Sequence, residues 1–218
     1  MSKLIKLTFI LSVLFSKLHG NTPENTLLGS YWVGIGVSHT SGDNFDSNGL
    51  GSGLNLPVHQ NISLDVRVGI GSGDFDNLPT EYDTASVSFG IAFHKLFKND
   101  KISFDPGIAL SSGFGVVDYS NLVTYSPFFG YRTTSARYNI IPISLSIGSD
   151  IYFSDFFSIG PGIAANGYID DDGLNIDSYF SYGIDATIYF TDSFSWSINL
   201  GGTSNSSYNI GTTFRGHF

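Results

Sequence analysis

Residues 208–218 read YNIGTTFRGHF, from Tyr208 to Phe218. Tyr208, Ile210, Thr212, Phe214, Gly216 and Phe218 occupy alternate positions; Asn209, Gly211, Thr213, Arg215 and His217 fall between them. A strand turns successive side chains to opposite faces, so this stretch has one apolar, aromatic face and one polar face. The same alternation recurs upstream. Ile62, Leu64, Val66, Val68 and Ile70 alternate with Ser63, Asp65, Arg67 and Gly69. Ala85, Val87, Phe89, Ile91 and Phe93 alternate with Ser86, Ser88, Gly90, Ala92 and His94. Period-two runs of this length predict half-buried strands.

Ten such runs can be placed, near residues 30–40, 49–57, 62–70, 85–94, 102–111, 141–153, 157–163, 180–188, 194–200 and 208–218. Short and long connections alternate between them. Four short turns each lead into an apolar-Ser-apolar triplet: Ile62-Ser63-Leu64, Ile102-Ser103-Phe104, Phe157-Ser158-Ile159 and Phe194-Ser195-Trp196. A unit that recurs at one hairpin plus a variable loop predicts repeated hairpins rather than a mixture of folds. Pro106, Pro142 and Pro161 fall inside these runs. Proline removes a ladder donor, so bulges or strand ends are expected there.

The chain has 218 residues, 26 Gly, 12 Tyr, 19 Phe, 2 Trp and no Cys, and only 13% of it is charged. A soluble domain usually carries about 25% charged residues. Mean hydropathy is only slightly positive, as expected when lipid-facing and lumen-facing residues alternate and cancel. Residues 1–20 read as a secretory signal peptide, with Lys3 and Lys6 before a short apolar run, Leu7 to Phe15. That run is too short to span a bilayer. A cut near Gly20 leaves residues 21–218 as one all-β domain. Losing Lys3, Lys6 and Lys17 leaves seven bases against 19 acids, a net charge of −12, which argues against nucleic acid as a partner. Without Cys, disulfides and thiolate metal sites are excluded.

Two features separate a membrane barrel from a soluble sandwich. Aromatics sit near the turns on the apolar face: Phe93, Phe97, Phe104, Phe153, Phe156, Phe157, Phe190, Phe194 and Trp196. Aromatic girdles at both bilayer interfaces would place them so. The polar face is Gly, Ser, Thr and Asn, where a sandwich would carry Lys and Glu to block edge pairing. Backbone groups in hydrocarbon must pair, and strands achieve that only in a closed barrel. The expected fold is therefore an all-β, transmembrane, antiparallel up-and-down β-barrel of ten strands, with eight as the alternative. Short turns are expected on the periplasmic side and longer loops outside.

The final strand, with Tyr208, Phe214 and Phe218 on its apolar face, resembles the terminal strand of bacterial outer-membrane β-barrels. Gly216 departs from that pattern, where a larger apolar residue is common. The alternation over the whole mature chain is similar to small outer-membrane barrels of the OmpA-like and opacity type. The resemblance implies the cell outer membrane of a Gram-negative bacterium. It also implies contact with outer-membrane lipid and lipopolysaccharide, and reading of Tyr208, Phe214 and Phe218 as an assembly signal by the barrel-assembly machinery.

No catalytic motif and no cofactor is expected. Asp65, Arg67, His94, Asp105, Asp150, Asp185 and Arg215 all fall on the polar face, as a lumen cluster that either holds the interior together or lines a narrow solute path. His39, Ser41 and Asp43 share a face near the outer rim, superficially similar to a lipid A deacylase of the outer membrane, whose remaining motif is missing. Omptin-like proteases are likewise not matched residue by residue. Asp170, Asp172 and Asp177 surround Gly173 at a spacing that could hold Ca²⁺, although Asp-Gly is also a plain turn signal. Residues 115–135 form the longest connection and carry Tyr119, Tyr125, Phe128, Phe129, Tyr131 and Arg132. These residue types are enriched at binding hot spots, and this loop is expected to bind any surface ligand. The alternatives are that it extends the flanking strands or folds inward as a plug. The expected function is a non-enzymatic structural or surface-interaction role through the outer loops, with a small porin-like channel as the alternative.

Overall fold

In a computed structural model the described residues are 27–98, 102–127, 130–154, 156–170 and 178–218. Residues 1–20, and the cut expected after them, lie outside that set. Ten long strands are β1 (Trp32–Ser41), β2 (Phe45–His59), β3 (Ile62–Phe75), β4 (Glu81–His94), β6 (Ser103–Ser126), β7 (Gly130–Ser154), β8 (Phe157–Asp170), β9 (Tyr179–Thr191), β10 (Phe194–Thr203) and β11 (Tyr208–His217). β5 (Phe97–Lys98) is a two-residue addition in the turn between β4 and β6. Each long strand pairs antiparallel with its sequence neighbour, β4 pairs with β6 past that turn, and β1 pairs with β11. The sheet therefore closes on itself as an antiparallel barrel of ten strands, not eight, and no helix occurs among the described residues.

The alternation decides which side faces out. Ile35, Val37, Phe89, Ile147, Ile163 and Leu200 are exposed on the outer wall, whereas the buried side chains are almost all polar: Asn55, Ser63, Asp105, Ser158, Thr187, Ser195 and Ser197 among them. Ala92 is the one apolar residue in the buried class among those described. That inversion is what a wall between lipid and a polar lumen requires. The apolar band on β4 runs from Phe93 to Ala85 and ends at Asp83; on β6 it ends at Asp118, which pairs with Arg137 at 3.5 Å. These spans match the roughly 9–11 residues a tilted strand needs to cross a bilayer.

Three expectations change. The aromatics taken as two girdles all lie toward the short-turn end, where Phe153 stacks on Phe157 and Phe190 on Phe194, and Phe214 stacks on both Phe194 and Trp196. The opposite girdle consists of Phe114, Phe180, Tyr182 and Tyr208. Pro106, Pro142 and Pro161 stand in register inside continuous strands. Pro161 is paired with Ile184 of β9, while the β7–β8 ladder skips Ser149 and Asp150, so the missing N–H falls on the side where no bridge forms. The irregularities occur elsewhere, at Pro57/His59, Tyr119/Leu122, Tyr152/Ser154 and Phe194/Ser195.

The third change concerns residues 115–135. They are strand for most of their length, because β6 and β7 run 24 and 25 residues and pair from Ser103↔Tyr152 to Ser126↔Gly130. Pairing with β4 stops at Ser120 and pairing with β8 stops at Ile140. Beyond these points the hairpin is a two-stranded ribbon standing above the rim. A bulge between Tyr119 and Leu122, with Asn121 at φ 55°, re-aims the upper ribbon. Thr80 fixes the bulge by donating to the Asn121 carbonyl at 3.2 Å.

Candidate functional site

The lumen divides into a filled lower mouth, at the short turns and the start of β1, and a wider upper part. Residues 27–30 cross the lower mouth inside the wall. Asn55 of β2, buried at 2% exposure, donates to the carbonyls of Ser30 (2.8 Å), Leu28 (3.2 Å) and Leu27 (3.4 Å). The Trp32 indole N–H donates to the Leu27 carbonyl at 2.9 Å, and the Leu27 N–H donates to the Tyr152 hydroxyl at 2.8 Å. Leu28 packs where a Cβ on Gly107 would stand. A chain segment entering a lumen must satisfy its own backbone groups, and these inward side chains do so for the Leu27 N–H and for the Leu27, Leu28 and Ser30 carbonyls.

Around this segment lies a polar ring. His217 accepts or donates at both nitrogens, to Ser195 Oγ at 2.7 Å and Ser30 Oγ at 3.3 Å. The Tyr189 ring lies 6.1 Å from His217 and 6.1 Å from Tyr152, and the Tyr189 hydroxyl meets Ser158 Oγ at 3.4 Å. Three of the four serines of the repeated triplet, Ser63, Ser158 and Ser195, are buried on the lumen side of the lower mouth, and Ser103 is half-buried.

All seven residues of the expected lumen cluster face inward, as two close pairs and a trio, with Asp105 opposite Asp150 across β6 and β7 linking the second pair to the trio. Asp65 pairs with Arg67 at 3.1 Å, and Gly90 opposite leaves the space its carboxylate fills. His94 and Asp105 form a second pair at 3.0 Å, both almost fully buried. Asp150, Asp185 and Arg215 make the third group, close enough to interact electrostatically. The Asp150 carboxylate occupies the room left by Gly160. The Arg215 guanidinium donates to Ser197 Oγ and lies 5.2 Å over the Trp32 ring. Arg67, Asp65, Asp150, Asp185 and Arg215 line a cavity of about 550 Å³, with Leu27 and Leu28 at its floor.

A second cavity, of about 470 Å³, opens at the upper mouth and has a different chemistry. It is lined by Val117, Tyr119, Leu122, Tyr138, Ile140, Tyr168 and Asp170. Below it, the inner face of β6 and β7 is Gly107, Ala109, Ser111, Gly113 and Gly115 against Gly148, Ser146 and Ser144. Above Gly115 the same face becomes aliphatic and aromatic. An aromatic row crosses it: Phe75 to Tyr82 (5.6 Å), Tyr82 to Tyr119 (6.0 Å), and Tyr119 edge-on to Tyr138 (5.8 Å). The bulge after Tyr119 brings Leu122 onto this face, since its one extra residue shifts the parity of the strand. Tyr119 lies above the apolar band; burial, then the neighbouring Tyr82 and Tyr138, push its phenol above the ordinary value of 10.0, so it is an uncharged hydroxyl near neutrality.

The remaining expected sites are placed as follows. Tyr131 is 79% exposed and Arg132 is exposed on the ribbon; Phe128 and Phe129, and the side chain of Tyr125, lie outside the described residues. Asp170 ends β8 at the upper cavity, while Asp172 and Asp177 lie outside the described residues. Among the described residues no group of three His, Cys, Asp or Glu is placed to hold a metal ion. His39 turns to β2, with Nδ1 3.1 Å from Asn48 Oδ1 and Nε2 4.0 Å from Asp46, rather than to Ser41 or Asp43. Tyr208, Phe214 and Phe218 are on the outer wall, and the Phe218 N–H closes onto the Tyr31 carbonyl at 3.0 Å. Sequence reading missed Asn55, Tyr138, Tyr168 and Tyr189 as site residues. The available signal was a tyrosine at polar-face parity in runs otherwise made of Gly and Ser.

No family model matches the chain, and no curated protein matches it. Solved structures similar to it include the beta domain of the Bordetella autotransporter BrkA (10% identity, 87% of this chain and 99% of that chain, TM-score 0.49). Another is an outer membrane channel from Pseudomonas putida F1 (9% identity, 92% and 100%, TM-score 0.48). A third is the translocator domain of autotransporter NalP from Neisseria meningitidis (10% identity, 98% and 94%, TM-score 0.47). At such identities and TM-scores none of them bears on the activity of this chain.

Proposed function

We propose that the protein is an outer-membrane surface protein whose barrel is shut at its periplasmic end and which acts through its outer mouth, without catalysis. The observation that carries this reading is the segment 27–30 held inside the lower mouth by Asn55, Trp32 and Tyr152. A through-path for solutes would have to displace it together with the polar ring beneath. The apolar wall, bounded by Asp83, Asp118 and Arg137 on one side and the Phe girdle on the other, supports residence in a bilayer with outer-membrane lipid and lipopolysaccharide as neighbours. The outward aromatic row of the last strand supports assembly by the barrel-insertion machinery, with Tyr208, Phe214 and Phe218 as its signal.

A small channel is the second reading, favoured by the cavity of about 550 Å³ in the middle of the lumen. Single-channel recording of the refolded chain in planar bilayers separates the two. The closed reading expects no steady current; a sustained open current would overturn it and favour the channel. A catalytic role at the outer rim would require a measurable turnover abolished by His39→Ala or Ser41→Ala. A surface ligand remains the partner to identify, and the upper mouth offers the chemistry for one.

A further inference from the structure

Resting on the outward-acting reading above, we propose that the tyrosine-lined cavity at the upper mouth binds a small amphipathic cation: an amine or quaternary ammonium carried on an apolar body. Its size lies within the roughly 300–1,000 Å³ of ordinary small-molecule sites. Val117, Leu122 and Ile140 give it apolar walls, and Tyr119, Tyr138 and Tyr168 give it aromatic ones. Apolar side chains facing the inside of an otherwise Gly- and Ser-lined barrel gain nothing from lipid. They lower the free energy of an apolar occupant instead.

The charge of that occupant follows from the surroundings. The lining holds one carboxylate, Asp170, and no base. Aromatic faces attract cations through their quadrupole. Around the upper rim stand Asp43, Asp46, Asp74, Asp76, Glu81, Asp83 and Asp118, against Arg132 and Arg137. Arg137 is engaged by Asp118, 3.5 Å away. An anion entering this mouth meets a repulsive field and an apolar wall; a cation is drawn in and then held by ring faces.

The test uses the full-length chain refolded in lipid nanodiscs and titration calorimetry with three probes of similar size: benzyltrimethylammonium, benzyl alcohol and phenylacetate. Benzyltrimethylammonium is expected to bind, at least tenfold more tightly than either of the others. Tyr138→Ala should weaken it about tenfold, as loss of one ring face predicts, while Tyr138→Phe stays within about twofold. Asp170→Asn should weaken it by a smaller factor and reduce its salt dependence. Should Tyr138→Ala lose the heat-modifiability of a folded barrel, Tyr119→Ala supplies the same comparison. Absence of benzyltrimethylammonium binding, equal binding of benzyl alcohol or phenylacetate, or wild-type affinity in the alanine variant would overturn the proposal. Conductance of the same preparation keeps the two readings apart. A closed barrel that binds no cation loses only this site, whereas an open current removes the closed-barrel reading whatever the calorimetry shows.

Discussion

The two mouths of the barrel are built from the same alternating strands and end as chemical opposites. The lower mouth is narrow and polar: Asn55, Ser63, His94, Asp105, Ser158, Ser195 and His217 are buried there, and a chain segment fills what they leave. The upper mouth is wide and aromatic, with Tyr82, Tyr119 and Tyr138 in a row and a cavity beside them. The difference separates a mouth filled with polar side chains from one that keeps an open cavity. Buried polar groups are mostly paired, and Asn55, Ser158, Ser195, His217 and the His94–Asp105 pair are, while Ser63 Oγ, His94 Nε2 and Asp105 Oδ2 have no hydrogen-bond partner among the described residues. Each strand of the upper ribbon pairs only with the other, and a two-stranded hairpin alone is marginally stable. It can therefore vary without loss of the wall.

This contrast can be broken at several points. His94→Ala should have the largest effect, about 3 kcal/mol of lost stability, because it leaves the Asp105 carboxylate buried without its partner. Urea midpoints of the refolded chain in lipid vesicles measure this, and an unchanged midpoint would show that the pair contributes nothing. Asn55→Ala comes next, at about 2 kcal/mol, since it strips the donor from up to three carbonyls of the lower-mouth segment. The same variant, or deletion of residues 27–30, should raise bilayer conductance if that segment is the obstruction; silence in both would assign the closure to the polar ring. Deleting residues 122–132 should change the midpoint by less than about 1 kcal/mol, because the ribbon lies beyond the paired wall. A large loss of folding would mean that the ribbon anchors the barrel. The smallest effect concerns alkaline pH. The raised Tyr119 phenol contributes stability that is present below its unfolded value and lost as pH rises through its folded one. Tyr119→Phe should therefore flatten the alkaline fall in stability, and a fall identical to wild type would count against Tyr119 as a buried phenol.

Legibility followed the same division. The wall was readable because period two is local: each of Ile62 to Ile70 reports its face by parity alone, and closure into ten strands adds only the pairing of β1 with β11. The seven lumen charges were readable for the same reason. Their grouping was not, since Asp105 and Asp150 meet across β6 and β7 only once the register is set. The ribbon reads first as a loop, with extension of the flanking strands as the alternative that the structure bears out, because its polar and aromatic residues break strict alternation at the Tyr119/Leu122 bulge. Tyr82, Tyr119, Tyr138 and Tyr168 come from four strands, and no sequence spacing announces that they share one mouth.

What the sequence determined by itself is the two-faced strand, its repetition and the sign of its charge. Those depend on neighbours one or two residues away and on the cost of exposing backbone to lipid. What only the tertiary structure decided is which mouth a chain segment crosses and which holds the tyrosine-lined cavity. That depends on shear and register between strands, on one extra residue in a bulge, and on where residues 27–30 come to rest. All of these are set by contacts between positions as distant as Leu27 and Tyr152.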